Sequence, residues 1–405
     1  MNSEEDFSYG ILGYNSVNIG DEIQSVAAMR FMPHVDEYPK RENLKKFVPK
    51  SGKRTKLIMN AWWMWHIDLF PPNDKYIDPL LIAMYFRPRI RDAFKKGEKR
   101  EYLIKHGPVG CRDMGTYNWL KGIGIPAYFS GCLTITLQRN YEIPRQDYIL
   151  CVDVQEDIVE EIKKLTNRPV YSISRRILSS CSDLKRMELA KLVLRAYHDA
   201  HLVVSPRLHV IMPSLAMETP VLRLLSNNKN VVADKSRYAG YEDFFNSINI
   251  DNENYIEELK KFDFDNPPQN PKNHLTMRND LIKRCSEFTG YDNPNSLIEN
   301  EPFPFIKLLK IIEHSESDIL RALYTAKLPD LIYTIYNKSK GIDKYSLPEN
   351  IVHPYQDLKY NGLIISTLKF FILGILIKVT PKKCSMTLQK KLKKSLLAAL
   401  LNLYK

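Results

Sequence analysis

Short apolar runs that alternate with amphipathic stretches of helical length constrain this chain more than any other feature. Tyr9–Leu12 reads as a strand, and Asp21–Phe31 places Ile23, Val26, Ala27 and Met29 at helical spacing. Lys56–Met59 and the segment from Ile104 to Cys111 continue the pattern, and Met114–Lys121 is helical before Gly122 and Pro126. After Pro144–Asp147 the alternation resumes. Strands at Tyr148–Val152, Val170–Ser174, Leu202–Val204 and Val221–Leu225 are separated by helices at 157–165, 183–200 and 208–217. Such alternation builds parallel sheets with helices on both faces. A chain of 405 residues exceeds what one compact core holds. The expectation is an α/β protein with two doubly wound Rossmann-like domains facing a cleft, residues 1–145 and 146–300, followed by a helical region, 301–405. Ligands of such sheets bind where βα-loops gather at the carboxyl ends of the strands.

The net charge of +12 belongs to the tail: residues 359–405 hold ten lysines and no acid, which leaves +2 for the body. A near-neutral body argues against nucleic acid as a partner. Beyond residue 300, helical patterns run over Phe303–His314, Glu316–Lys327, Leu331–Lys340, Gly362–Val379 and Leu388–Tyr404. A spanning helix needs about 20 apolar residues, and Lys369 and Lys378 interrupt Gly362–Val379. In the last helix, leucines 388, 392, 396, 400 and 403 lie opposite lysines 390, 391, 393 and 394. That pattern fits a helix in a membrane interface with its lysines on anionic lipid. A hairpin packed on the body and a partner-binding helix fit it too. Six scattered cysteines without a CxxC pair point to neither zinc nor disulfides, and to a reducing compartment. The acidic start, Asn2-Ser3-Glu4-Glu5-Asp6, is unlike a signal peptide. The expected place is the cytoplasm, peripheral at the inner face of the cytoplasmic membrane.

Three strand-to-helix loops carry residues suited to chemistry on an anion. Ser205-Pro206-Arg207-Leu208-His209 ends a strand and begins a helix, whose free N–H groups attract negative charge. Arg207 suits bidentate binding of carboxylate or phosphate, and His209 titrates near neutrality. A structural ion pair and a packed histidine would account for the same pair of residues. Arg112 follows another strand at Val109–Cys111, and Gly13–Glu22 presents Asn15, Asn18 and Asp21, which suit hydroxyl groups or plain helix capping. Trp62, Trp63 and Trp65 serve equally as sugar-stacking rings or as core. Lys235 and Arg237 sit in a later loop and complete an anion site or face solvent. Cys132 has no basic partner near it in sequence and is not read as a nucleophile.

In this order, Asn18-Ile19-Gly20-Asp21-Glu22, Gly110-Cys111-Arg112-Asp113, and Arg207-Leu208-His209 with Pro220-Val221-Leu222 resemble the polysaccharide pyruvyl transferase family across roughly residues 9–245. The resemblance implies a fold similar to GT-B glycosyltransferases and phosphoenolpyruvate as donor of a pyruvate ketal to a glycan. It implies Arg207 and Arg112 as donor-binding residues and His209 as the acid that protonates C3 of the enol; Lys235 and Arg237, from the reading of their own loop, are added to the donor-binding set. Asn15, Asn18, Asp21, Trp62 and Trp63 fall on the acceptor side. Asn60-Ala61-Trp62-Trp63 departs from the family's glycine-rich turn there. The scheme calls for no cofactor and no metal. The partners expected are phosphoenolpyruvate, a glycan that is lipid-linked where the tail holds the enzyme at the leaflet, and an anionic membrane surface through 359–405. Ser214–Val221, with Glu218, also fits a nucleotide-sugar glycosyltransferase, and a non-catalytic membrane scaffold is a third reading.

Overall fold

The computed structural model describes residues 7–16, 18–175, 182–227 and 235–299. The chain divides into two compact units, Met1–Pro302 and Phe303–Lys405. The helices expected beyond residue 300 and the basic tail 359–405 lie outside the described residues. Among the described residues no helix is long and apolar enough to cross a membrane.

The fold is mixed α/β and its strands pair in parallel. In the amino-terminal half these are β1 (Ser8–Gly10), β2 (Thr55–Ile58), β3 (Trp62–Trp63), β4 (Ile77–Leu80), β5 (Tyr85–Phe86), β6 (Val109–Cys111) and β7 (Ala127–Phe129). They pair as β1-β2-β4, β3-β5 and β6-β7. Backbone bonds from Gly110 N to Leu81 O (2.8 Å) and from Met84 N to Gly110 O (2.9 Å) link the chain beyond β4 to β6. The core of this half is aromatic: Trp63, Phe70, Phe94 and Phe86 meet edge to face with centroids 4.9–5.8 Å apart.

The carboxyl-terminal half carries β8 (Ile149–Val152), β9 (Val170–Ile173), β10 (Leu202–Ser205), β11 (Val221–Leu225) and β12 (Asn246–Asn249), in the spatial order β12-β11-β10-β8-β9. Every residue of β8 and β10 is buried. Central parallel strands are covered on both faces, so they read as unbroken apolar runs without alternation. The order places β8 between β9 and β10. The connections leave β8 in one direction and return on its other side, which makes the gap between β8 and β10 a topological switch point.

Eight α-helices complete the described residues: α1 (Ile19–Met29), α2 (Glu98–Lys105), α3 (Met114–Gly122), α4 (Glu156–Lys164), α5 (Asp183–Asp199), α6 (Leu208–Ala216), α7 (Tyr255–Lys261) and α8 (Leu275–Thr289). The change of half falls between β7 and β8, yet the sheets of both halves lie within one compact unit. Two contacts explain the union. Helix α1 of the first half packs on α5 and α6 of the second. Helix α8 returns to the first half, where Lys56 Nζ donates to Phe288 O at 2.7 Å.

Candidate active site

The turn from β10 to α6 is fixed from two sides. The Ser205 hydroxyl donates to Val152 O (2.8 Å) and accepts from Arg207 N (3.1 Å), tying the turn to the end of β8. The Tyr238 hydroxyl accepts from Leu208 N (3.1 Å) and donates to Pro206 O (2.5 Å). His209 leaves helical geometry (φ −82°, ψ 18°), and every residue of α6 is buried. The imidazole is therefore held in one place at the switch point.

Arg112 arrives from the other half. Asp113 caps α3, accepting from Thr116 N (2.8 Å) and Thr116 Oγ1 (2.9 Å), and this cap sets Arg112 at the end of β6. Arg112 is fully buried. Its Nη1 donates to Gln24 Oε1 (2.8 Å) and lies 3.3 Å from His209 Nε2. A guanidinium has only donors, so Nε2 accepts and the imidazole is neutral, with its proton on Nδ1. Burial pushes the His209 pKa well below 6.5, and Arg112, Arg237 and Arg175 push it the same way.

Arg175 is the site residue that sequence reasoning missed. Its Nε donates to Asp153 Oδ2 (2.5 Å) and its Nη1 to Asn18 Oδ1 (2.9 Å). Asp153 also accepts from Arg207 Nε on the same oxygen (2.9 Å) and holds a left-handed backbone, φ +53°, at the end of β8. Burial works to raise the Asp153 pKa, but Arg175 and Arg207 outweigh it and hold the carboxyl below the usual range. One cavity is lined by Gly20, Arg175, Arg207, His209, Arg237 and Tyr238, among others. Arg112 Nε and Nη2 and Arg237 Nε are buried with no hydrogen-bond partner among the described residues. Burial and mutual repulsion lower the pKa of Arg207, beside Arg175, and of Arg237, beside Arg112. Four guanidiniums crowd a neutral histidine with the single Asp153 carboxylate between two of them. The unpartnered donors of Arg112 and Arg237 fit an anion with several acceptor oxygens.

The signal for Arg175 was present. Arg207 and Arg175 each lie two residues past the last residue of a strand, and Arg112 lies one past. The rule that picked out Arg207 and Arg112 applies equally after β9.

Other candidates have mixed placements. Asn18 caps α1, its Oδ1 accepting from Gly20 N (3.1 Å) as well as from Arg175, so it borders the cavity as part of the scaffold. Asp21 is buried and accepts from Ser16 Oγ (2.7 Å) and Trp62 Nε1 (3.1 Å), while Asn15 is exposed. The structure corrects the reading of Trp63 as a sugar-binding ring: it is fully buried against Phe70, which leaves Trp62, half-buried, and Trp65, 51% exposed. The side chain of Lys235 lies outside the described residues. Cys132 is buried beside Thr134 Oγ1 (3.1 Å). Glu218 follows the carboxyl end of α6, the end away from His209, and accepts from the Tyr141 hydroxyl (2.6 Å). Among the described residues no group of three or more His, Cys, Asp and Glu side chains is arranged to hold a metal ion.

The α/β fold thus places an arginine-walled cavity, suited to an anionic group, at a sheet switch point. Residues 86–229 match the polysaccharide pyruvyl transferase family, a span that includes Arg112, Asp153, Arg175, Arg207 and His209. The chain is therefore similar in sequence to a transferase family of polysaccharide biosynthesis over the segment that carries most of the site. No curated protein matches the chain. Among solved structures, a functionally uncharacterized protein from Klebsiella pneumoniae subsp. pneumoniae is similar at 13% identity and a TM-score of 0.36, over 58% of this chain and 88% of that one.

Proposed function

We propose that this chain transfers the pyruvyl group of phosphoenolpyruvate to two hydroxyls of a glycan, forming a pyruvate ketal. The observation that carries the reading is the convergence of Arg112, Arg175, Arg207 and Arg237 on buried His209. Phosphoenolpyruvate sets a carboxylate and a phosphate on adjacent positions of a three-carbon frame, and four guanidiniums match that charge. Held there, the donor offsets the field that keeps the imidazole neutral, so His209 takes up a proton as the donor binds. The imidazolium then gives its proton to C3. The cationic C2 is attacked by a sugar hydroxyl, whose proton returns to the imidazole. The C2–O bond to phosphate breaks, with the arginines balancing the charge that leaves. The second hydroxyl closes the ketal, and its proton goes to phosphate or solvent.

Incubation with phosphoenolpyruvate and candidate saccharides tests this. Expected are release of inorganic phosphate and a saccharide mass gain equal to phosphoenolpyruvate less phosphoric acid. Transfer by His209→Ala at the wild-type rate would remove His209 from the mechanism. The leucine–lysine pattern of 388–404 supports work at an anionic membrane surface on a lipid-linked acceptor. Equal flotation with liposomes by the full chain and by a form lacking 359–405 would exclude that part.

A further inference from the structure

An aromatic shelf leads outward from the arginine cavity. In the parallel pair β3-β5, Trp62 stands opposite Tyr85. Residues opposite one another in a ladder present their side chains to the same face. Tyr85 is buried against the donor arginines, its ring centroid 5.0 Å from the Arg112 guanidinium and 5.4 Å from that of Arg237. Trp62 is half-buried, anchored by its Nε1 bond to Asp21, with the Arg41 guanidinium 3.8 Å over its ring. Trp65 meets Trp62 edge-on at 5.4 Å and is 51% exposed. Exposure thus rises along Tyr85, Trp62 and Trp65, away from His209.

The outer end of the shelf is cationic as well as aromatic. The guanidiniums of Arg87 and Arg89 lie 4.0 and 4.2 Å from the Trp65 ring centroid. Glu42 accepts from both Trp65 N (2.9 Å) and His66 N (3.1 Å), so the turn bearing Trp65 is held in place. Arg41 has carboxylate partners in Glu42 (2.8 Å) and Asp21 (3.6 Å). Arg89 is exposed and has no carboxylate partner among the described residues. The Arg89 guanidinium, stacked on an indole, keeps its N–H edges available for bidentate bonds to carboxylate or phosphate. A neutral sugar would use the rings and leave those edges to water.

We propose that Trp62, Trp65 and Arg89 form the acceptor subsite, and that the glycan it takes is anionic, with a carboxylate or phosphate beside the sugar face that meets the shelf. This rests on the pyruvyl-transfer reading, since it makes the shelf the approach by which acceptor hydroxyls reach the donor. The gradient of exposure from Tyr85 to Trp65 supplies that direction.

The test is calorimetric titration of the full chain with three probes of equal length: a uronate-bearing oligosaccharide, a phosphate-bearing one and a neutral one. At least one charged probe should bind about tenfold tighter than the neutral probe, with affinity falling as salt rises. Arg89→Ala and Trp65→Ala, both exposed substitutions, should each remove most of that difference and leave the thermal shift produced by phosphoenolpyruvate unchanged. Equal binding of charged and neutral probes would overturn the proposal. So would Trp65-dependent binding to phosphatidylglycerol vesicles without any saccharide binding. If phosphoenolpyruvate gives no thermal shift while charged probes still bind through Arg89, the anionic-glycan site stands and the donor reading falls.

Discussion

Arg112 and His209 lie 97 positions apart in sequence, yet the guanidinium nitrogen of one stands 3.3 Å from the imidazole Nε2 of the other. The contact joins the loop after β6 to the first turn of α6, one from each half. It also defines the resting state of the site: the ring is neutral because a cation donates to it and burial disfavours its charge.

A neutral resting histidine predicts a proton-coupled donor step. Calorimetry of phosphoenolpyruvate binding near pH 7, repeated in buffers of different ionisation enthalpy, should show net proton uptake that is absent in His209→Asn. Identical proton balances in the two proteins would disprove the coupling. The same shift sets a stability trend. The folded-state pKa lies below the unfolded value of about 6.5, so the unfolded chain binds this proton more readily. The contribution of the neutral ring is complete above about pH 6.5 and is lost as the pH falls toward the folded pKa. The stability gap between wild type and His209→Asn should narrow on acidification over that window.

Asp153 holds Arg175 and Arg207 through one oxygen, at 2.5 and 2.9 Å. Asp153→Asn keeps a residue type that tolerates the φ of +53° but removes the charge between two guanidiniums. Fully buried pairs lose 3–5 kcal/mol when one partner goes. With Arg175 30% and Arg207 20% exposed, about 2 kcal/mol is expected here, read by urea denaturation. Phosphoenolpyruvate should then raise the thermal midpoint more in the variant than in wild type, because its oxygens replace the lost carboxylate. An equal shift in both proteins would mean that the anion does not reach these arginines.

How much of this was legible beforehand follows from which interactions are local. The strands β8 to β11 and helices α4 to α6 appear where apolar runs and helical spacing put them, because buried parallel strands and amphipathic helices are written in short windows. The two-residue pairing of β3 with β5 was not legible: it depends on partners 23 positions apart, and Trp62-Trp63 alone does not say which ring faces inward. The ordered motifs pointed to Arg112, Arg207 and His209, and the structure brings them together. The pairing of Arg175 with Asp153 rests on strand order, with β8 between β9 and β10, which no local window contains. Asp21 offered two readings, and its bond to Trp62 favours the structural one.

Gly20 bears on turnover through steric contact. A Cβ at this position would lie 3.1 Å from His209 Cβ and 3.2 Å from its Nδ1, so the ring would have to move by a few tenths of an ångström. Alanine suits the first turn of a helix, which offsets part of the cost in stability. Gly20→Ala should therefore lower kcat for pyruvyl transfer by roughly tenfold or more with a small change in thermal midpoint. Wild-type kcat in the variant would show that the ring position is not limiting.

A buried ion pair between α1 and α5 helps to keep the two halves together. Glu22, on α1, and Arg186, on α5, are both fully buried and their charged ends meet at 2.5 Å. Arg186 also donates to Ser16 O (2.6 Å), in the loop that leads into Asn18. Removing one charge leaves the other buried and alone, so Arg186→Met should cost about 3–5 kcal/mol in denaturant unfolding. Glu22→Gln combined with Arg186→Met leaves no orphaned charge and should recover much of that loss, the amide replacing one acceptor of similar size. The kinetics separate this role from simple stability. Because α1 carries Asn18 and Gly20 to the cavity, the double variant at a temperature where it is folded should show a raised KM for phosphoenolpyruvate. If the double variant matches wild type in KM and is as unstable as the single, the pair neither aligns α1 with the site nor acts through its charge.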